Sequence, residues 1–446
     1  MVWGDIYLAV TLVGAALVLN AFRPPRFHLF LVPSFFAGWY TGEMPVWHIV
    51  WQVVVTAAVI PTGAFGSWPG LVGLGVAGAS WIGLAVLAAV GHRAGQVFDR
   101  VEDATALLRA DGPRGDGVPA LPATGADTMW RFPRLAYPLP RPTRSVTVVR
   151  NIDYVGDGLH TQRLDIIRRR RDPPTAAPVL VYIHGGAWVV GDKREQGLPL
   201  LYELARRGWV TVTINYRLSP RATWPDHIVD CKRALAWVRA NIAGYGGDPR
   251  FLAVSGGSAG GHLCSLLALT AGDPAFQPGF EDASTVVDAC VAFYGVFDMT
   301  AARGSAHYDR GLMTLLERRV FKTTADRDPG VFEAASPLCR VHDGAPPFFV
   351  IHGTHDTLVP VAEARRFVTA LRSVSGAPVL YAELPFTQHA FDVLPSVRSA
   401  HAVAAVVRFL EGVRLGPPER AGPEAAPGSP AGEGRAPDQA TAGFLT

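Results

Sequence analysis

The 446-residue chain is 49% hydrophobic and only 18% charged, against roughly a quarter charged in ordinary soluble domains, and its length suits two or three units rather than one small domain. A formal net charge of +3 is close to balance, so no charge excess points to nucleic acid. Cys231, Cys264, Cys290 and Cys339 stand far apart without CxxC or Cys/His ligand spacing, which argues against a disulfide framework or a metal site and for buried, reduced thiols.

The apolar excess lies before residue 92. Ile6–Phe22 runs 17 residues without a charge, Val46–Ile60 reaches spanning length only with Pro45 and Pro61–Thr62 included, and Leu71–Val90 gives 20 apolar or small residues. A helix needs about 20 residues to cross a bilayer, with roughly 17 as the lower limit, so three crossings are expected. Phe27–Tyr40 is shorter, holds Pro33 and ends in Trp39-Tyr40, which reads as an interfacial or re-entrant segment. Asp5 stands where a signal peptide carries its basic region, and further hydrophobic runs follow, so the first run reads as a retained anchor. Arg23 and Arg26 follow the first run, and Arg93 and Arg100 follow the last. If basic loops stay inside, the chain has an outside N-terminus, three spans and a cytoplasmic C-terminal domain at the plasma membrane. A crossing by Phe27–Tyr40 reverses that face. Apart from the loop residue Glu43, the N-terminal spans contain no intramembrane charged residue, which argues against an ion pathway.

From His92 to Ala110, Val97, Val101, Ala104, Leu107 and Leu108 recur at amphipathic-helix spacing. Residues 111–144 are rich in Pro and Gly and read as a linker; those from Arg414 onward read as a disordered tail. Between them strands and helices alternate. Val146–Tyr154 and Thr161–Ile167 look like paired strands. Val179–Ile183, Val210–Ile214, Phe251–Val254, Ala289–Phe293, Phe348–Ile351 and Val379–Glu383 are short apolar runs typical of strands buried on both faces. Helical patterns cover Pro225–Ala243, Ala259–Thr270, Val361–Ser373 and Ser399–Val413. The alternation implies an α/β class with a mostly parallel sheet. The expected organisation is a membrane region at 1–95, helix and linker at 96–144, an α/β domain at 145–413, and a tail at 414–446.

Gly256-Gly257-Ser258-Ala259-Gly260 follows an apolar strand run and opens a helical stretch, the context that a nucleophile elbow requires. The turn lifts a serine hydroxyl above the sheet edge and aims a helix N-terminus at developing negative charge. Upstream, His184-Gly185-Gly186-Ala187-Trp188 ends another strand run. Acyl transfer creates an oxyanion, and a preformed backbone donor lowers its energy by about 3–4 kcal/mol; Gly185, Gly186, Ala187 and the amide of Ala259 are the candidate donors. A nucleophilic serine needs a base and the base an orienting carboxylate, in the chain order Ser, acid, His. Asp356 follows the run Phe348–Ile351 and His389 follows Val379–Glu383, so they are the candidate acid and base. Asp298 is the alternative acid; Asp392 follows the histidine and fits less well. His262, His352, His355 and His401 read as bystanders.

At these residues the chain resembles the hormone-sensitive-lipase-like and related carboxylesterase branch of the α/β-hydrolase superfamily, over about residues 145–413. The likeness rests on the 184–188 and 256–260 motifs, Asn215-Tyr216-Arg217 with Ser219-Pro220, Gly246-Gly247-Asp248-Pro249, and the loops 352–356 and 389–391. Ala187 departs from the family's third glycine; it keeps the N–H but narrows the allowed backbone, and the HGGAW form also resembles isoprenylcysteine methylesterases and arylformamidases. The resemblance implies an α/β-hydrolase fold, hydrolysis of lipid-like or short-acyl esters through an acyl-enzyme, and no metal or organic cofactor. It makes Asn215-Tyr216-Arg217 a brace beneath the oxyanion loop and residues 300–345 part of a lid, in which Leu312–Leu316 and Val320–Phe321 either line an acyl pocket or pack the lid. The expected partners are an ester substrate and the bilayer. The alternatives are a specialised methylesterase or amidase with the same triad, and a non-catalytic hydrolase-fold binding protein.

Overall fold

The structure, a computed structural model, describes residues 2–25, 30–109, 144–158, 161–171, 175–300 and 310–416. Arg26, the stretch 111–143 read as linker, positions 301–309 of the expected lid and the tail beyond 416 lie outside the described residues. The chain begins with four helices: α1 Val2–Phe22, α2 Leu31–Glu43, α3 Pro45–Val59 and α4 Trp68–Arg109. Three helical stretches are long and apolar enough to cross a membrane, Val2–Phe22, Pro45–Thr62 and Trp68–Val101. α1 turns Tyr7, Thr11, Gly14, Val18 and Ala21 inward and leaves Ile6, Leu12, Val13 and Leu19 exposed. Small residues allow the close approach that helix packing in lipid relies on: Gly73 lies against Tyr7, and Gly83 against Val18. Polar pairs such as Tyr7–Thr56 at 2.9 Å and Ser34–Asn20 at 2.8 Å sit between the helices. Apolar outside and polar inside is the arrangement expected of a bundle in lipid.

At 13 residues α2 is too short to span. Pro33 does not break it, because it occupies the third helical position, where the N–H has no intrahelical acceptor. α4 is the opposite case. Its 42 residues extend about 63 Å at 1.5 Å per residue, against a hydrocarbon core of about 30 Å. The boundary expected at residue 95 therefore falls inside one unbroken helix. Beyond that point Ala94 and Phe98 enter the core of the α/β domain, where Phe98 meets Phe349 edge-on at 6.3 Å and Gly95 packs on His401.

Eight strands follow: β1 Val146–Asp153, β2 Arg163–Arg169, β3 Ala177–Ile183, β4 Val210–Ile214, β5 Gly247–Gly257, β6 Ala289–Phe293, β7 Phe348–Gly353 and β8 Val379–Leu384. They form one sheet in the order β1-β2-β4-β3-β5-β6-β7-β8. β2 runs antiparallel to β1 and β4; the remaining pairs are parallel. The intervening helices are α5 Leu198–Arg206, α6 Asp226–Asn241, α7 Ala259–Leu269, α8 Arg310–Leu315, α9 Pro329–Ala334, α10 Val361–Val374 and α11 Val397–Leu415. β3 shows why these strands read as unbroken apolar runs. Its Val179, Val181 and Ile183 enter one core with α6, α7 and α10, while Leu180 and Tyr182 enter the other with α4, α5 and α11. Successive side chains point to opposite faces, and here both faces are covered.

In the described part of the expected lid, Leu316, Val320 and Phe321 are buried in the first of these cores, with Phe321 4.3 Å from Phe332 and 5.9 Å from Trp224 between ring centroids. These three side chains pack into that core. Cys231, Cys264 and Cys290 are buried free thiols, as expected, but Cys339 is exposed.

The N-terminal helices are seated directly on the α/β domain. His355 Nε2 donates to the Phe22 carbonyl at 3.0 Å, and Trp39 Nε1 to the Ala390 carbonyl at 2.8 Å. Glu43 is the last residue of α2 rather than a loop residue. Its carboxylate accepts from Ser396 Oγ at 2.6 Å and pairs with the Arg398 guanidinium, both side chains being buried. Removing one member of a buried ion pair leaves the other charged without water and costs about 3–5 kcal/mol. Glu43→Ala should therefore lower the melting temperature of the detergent-solubilised chain, and Glu43→Ala with Arg398→Met should recover much of the loss. Unchanged melting of the single variant would contradict the ion pair's role.

Candidate active site

The turn from β5 into α7 carries Ser258 at φ 58°, ψ −122°, a left-handed backbone that a non-glycine residue adopts only under constraint. The constraint is packing: a Cβ at Gly260 would lie 2.0 Å from the Ile183 carbonyl oxygen, so α7 meets β3 with no room for a side chain. The 184–188 loop, at the end of β3, closes on the same turn. A Cβ at Gly185 would come within 2.6 Å of the Gly257 carbonyl oxygen and 3.0 Å of Ser258 Cβ.

Ala187 and Trp188 both take positive φ, 52° and 60°, a conformation that costs a non-glycine residue roughly 1–2 kcal/mol. Burial of Trp188, its indole N–H donating to His262 Nδ1 at 3.2 Å, and the Val189 and Val190 amides donating to the Gly186 carbonyl at 3.0 Å each hold the loop there. Among the described residues, the amides of Gly186, Ala187 and Ala259 donate to no protein acceptor. The Gly185 amide differs from expectation: it donates to Gln196 Oε1 at 2.8 Å. That bond withdraws Gly185 from the set of free donors, and its contribution is the missing side chain. Below the loop, Tyr216 stacks on His184 at 4.6 Å and donates to its carbonyl at 3.1 Å, while Asn215 accepts from the Lys193 amide at 2.7 Å. The Asn215-Tyr216-Arg217 segment is thus the brace that the family likeness implied.

Asp356 lies on the loop after β7 and His389 on the loop after β8, at the sheet edge where Ser258 sits. His389 Nδ1 and Asp356 Oδ2 are 2.6 Å apart. Asp356 Oδ1 accepts from the Leu358 and Val359 amides at 2.9 and 2.8 Å, and His352 Nε2 approaches Oδ2 at 3.3 Å. Burial pushes the Asp356 carboxyl up, but the facing imidazoles of His389 and His352 outweigh it and hold the group below the usual carboxylate range. With an ionised acceptor there, the His389 proton sits on Nδ1 and Nε2 keeps its lone pair. Tyr294 ties this pair to the serine turn: its ring lies 4.5 Å from that of His389, and a Cβ at Gly257 would lie 2.7 Å from its hydroxyl.

The competing residues are accounted for. Asp298 accepts from Thr300 at 2.6 and 2.8 Å and pairs with Arg366 at 3.3 Å. His262 accepts from Trp188 through Nδ1 and donates to the Ala335 carbonyl at 2.7 Å, and burial lowers its pKa to about 4. His355 binds Phe22, and His401 packs on α4. Sequence reasoning passed over Gln196, Tyr294 and the contact of His352 with Asp356. Tyr294, immediately after β6, stood at a strand end that could have singled it out; the other two carry no local signal.

Asp392 behaves oppositely to Asp356. Burial pushes its carboxyl up to about 6, opposed by the hydrogen bond that Tyr294 donates. A carboxyl with a raised folded pKa favours the folded state below about pH 4, and that contribution is lost as pH rises through about 6. Asp356, with its pKa depressed, contributes above about pH 4 and loses its contribution only in stronger acid. Melting temperature should therefore carry a falling component between pH 4 and 6 that Asp392→Asn removes. Retention of the wild-type slope in this variant would show that Asp392 is not its source.

The BD-FAE family model matches residues 164–371, a stretch that contains Ser258 and Asp356 and stops before His389. The chain is 45% identical over 417 residues to the probable carboxylic ester hydrolase LipM of Mycobacterium tuberculosis, a match covering 90% of this chain and 92% of LipM. It cannot reach that coverage without including much of the N-terminal helical region. Esterase LipQ of the same organism is 51% identical over 256 residues, 57% of this chain and 60% of LipQ. Among solved structures, a truncated carbohydrate esterase from gut microbiota superposes with a TM-score of 0.54 at 26% identity, over 62% of this chain and 99% of that one. Matched to LipM over nearly the whole of both chains, the protein belongs to the α/β-hydrolase carboxylesterases and is a carboxylic ester hydrolase.

Proposed function

We propose that the protein is a membrane-tethered serine esterase in which Ser258, His389 and Asp356 act as nucleophile, base and orienting acid. Ser258 Oγ attacks the ester carbonyl carbon as His389 Nε2 takes its proton. The tetrahedral oxyanion is met by the Ala259 amide and by those of Gly186 and Ala187. Collapse expels the alcohol, which leaves with the proton from His389. A water molecule, deprotonated by the same nitrogen, then attacks the acyl-enzyme and releases the carboxylic acid. Asp356 stays ionised throughout, holding the imidazole by Nδ1 and stabilising the imidazolium. The chemistry calls on no metal or organic cofactor.

The observation that carries this reading is the strained Ser258 turn at the sheet edge that also bears the buried Asp356–His389 pair. Three amides without protein acceptors beside that turn support the oxyanion assignment. The tether is supported by the three apolar helices and by which helix ends meet. Gly4 and Gly70 cluster with Ala64 and Ser67 at one end of the bundle, while Phe22, α2 and the later part of α4 contact the α/β domain. Arg23, Arg93 and Arg100 belong to the domain end, and the preference of basic residues for the inner face supports an outside N-terminus and a cytoplasmic catalytic domain.

Ser258→Ala should lower kcat by about 10⁵–10⁶-fold, as removal of the nucleophile does in other serine hydrolases. Asp356→Asn should lower it by about 10⁴-fold; Ser258→Ala should keep wild-type melting, whereas Asp356→Asn, which removes the buried charge, should melt lower at neutral pH. Turnover of p-nitrophenyl butyrate by purified protein is the readout. Substantial activity in Ser258→Ala would overturn the assignment.

A further inference from the structure

α2 has two faces with different surroundings. One is seated along the segment that bears the catalytic base. The Leu31 carbonyl lies 3.5 Å from Thr357 Oγ1, and the Phe35 ring stands edge-on to that of His389, 6.1 Å between centroids. A Cβ at Gly38 would come 3.3 Å from Gln388 Cγ, Trp39 donates to the Ala390 carbonyl, and Glu43 binds Ser396 and Arg398. Positions 31, 35 and 38 fall on one side of a helix, and Trp39 and Glu43 lie at its margin. The other face carries Val32, Phe36 and Tyr40, exposed at 56%, 57% and 45%. Val32 and Phe36 stand open among the described residues, while the half-exposed Tyr40 ring meets His48 of α3 edge-on at 5.1 Å; the neighbouring helices α1, α3 and α4 are apolar outward as well. A short helix with aromatic residues on its free face is suited to the headgroup–acyl boundary. An open groove of about 710 Å³ lies between α1 and Phe386, lined by Ala16, Leu19, Phe22, Arg23 and Phe386 among others, none of them on α2 or in the Ser258–His389–Asp356 set. Its lining is mostly apolar, and Phe386 is three residues from His389.

We propose that α2 is the bilayer-side wall of the active site and that the substrate is a membrane-resident lipid ester. The ester linkages of bilayer lipids lie at the boundary between headgroups and acyl chains, the depth that the free face of α2 suits. Such an ester reaches Ser258 from the lipid side without leaving the membrane. Phe35, against the base, is then a wall residue of the site, and Phe36, one position on, faces lipid. The proposal rests on the serine-esterase reading above, and its test separates the two.

The full chain is reconstituted in phosphatidylcholine vesicles and treated with ethyl or hexadecyl fluorophosphonate, with labelling of Ser258 followed by mass spectrometry. The wild type should be labelled at least tenfold faster by the hexadecyl reagent. The double variant Val32→Asp, Phe36→Asp should lose at least tenfold of the hexadecyl rate while the ethyl rate stays within twofold. Equal wild-type rates, or an unchanged hexadecyl rate in the variant, would overturn the lipid-side wall. An equal slowing of both reagents in a variant with wild-type melting would do so too, since α2 would then be only a brace. If the variant fails to fold, the wild-type ratio decides alone. Labelling of Ser258 by neither reagent would instead sink the serine reading.

Discussion

Asp356 sits without solvent, and the geometry of the site follows from how its charge is satisfied. Two backbone amides from its own loop take one oxygen, and the imidazoles of His389 and His352 face the other. An unpaired buried carboxylate would take up a proton rather than remain charged. Because these donors are in place, the group stays ionised, and an ionised Asp356 fixes which nitrogen of His389 carries hydrogen. Asp392, equally buried, has one hydroxyl donor from Tyr294 and feels Glu43 nearby, so its carboxyl is pushed up. Two carboxyls flank one histidine, and their environments separate their roles.

The strain in the site is balanced by packing. Ser258, Ala187, Trp188 and Tyr294 all have positive φ, and each is followed or flanked by buried structure that leaves no alternative. Ser258 is locked by the fit of α7 on β3, Trp188 by its burial and its bond to His262, and Tyr294 by its amide bond to the Ile351 carbonyl at 2.8 Å. Among the described residues the Gly186, Ala187 and Ala259 amides are thereby left without protein acceptors, which suits the oxyanion role proposed for them. Ala187 shows that the third glycine of the related pattern is a convenience for this turn rather than a requirement.

Much of this was legible in the sequence, for stated reasons. Six of the eight strands stood out because a sheet covered on both faces makes each a short apolar run, and Ser258, Asp356 and His389 each follow such a run. What could not be read depends on contacts between distant positions that leave no periodic mark. The bond of Gln196 to the Gly185 amide, the approach of His352 to Asp356 and the seat of Phe35 on His389 are of this kind. The continuity of α4 was hidden because its apolar pattern changes from all-round to one-sided near residue 92, where its packing partners change from other helices to the α/β domain. Glu43 read as a loop residue because its partner Arg398 lies more than three hundred residues away. The α2 wall also bears on substrate energetics: moving an acyl chain from bilayer to water costs about 0.8 kcal/mol per methylene, so a 16-carbon chain would face roughly 12 kcal/mol. A site open to the lipid avoids that cost.

The central claim is that Ser258 becomes acylated during turnover. Rapid acid quenching of the full-length protein with p-nitrophenyl butyrate, followed by mass spectrometry of the peptide around residue 258, tests it most directly. A butyryl group is expected on Ser258, forming within the first turnover and disappearing as substrate is exhausted. An unmodified Ser258 during steady turnover, with p-nitrophenol released and no acyl adduct on that peptide, would contradict it.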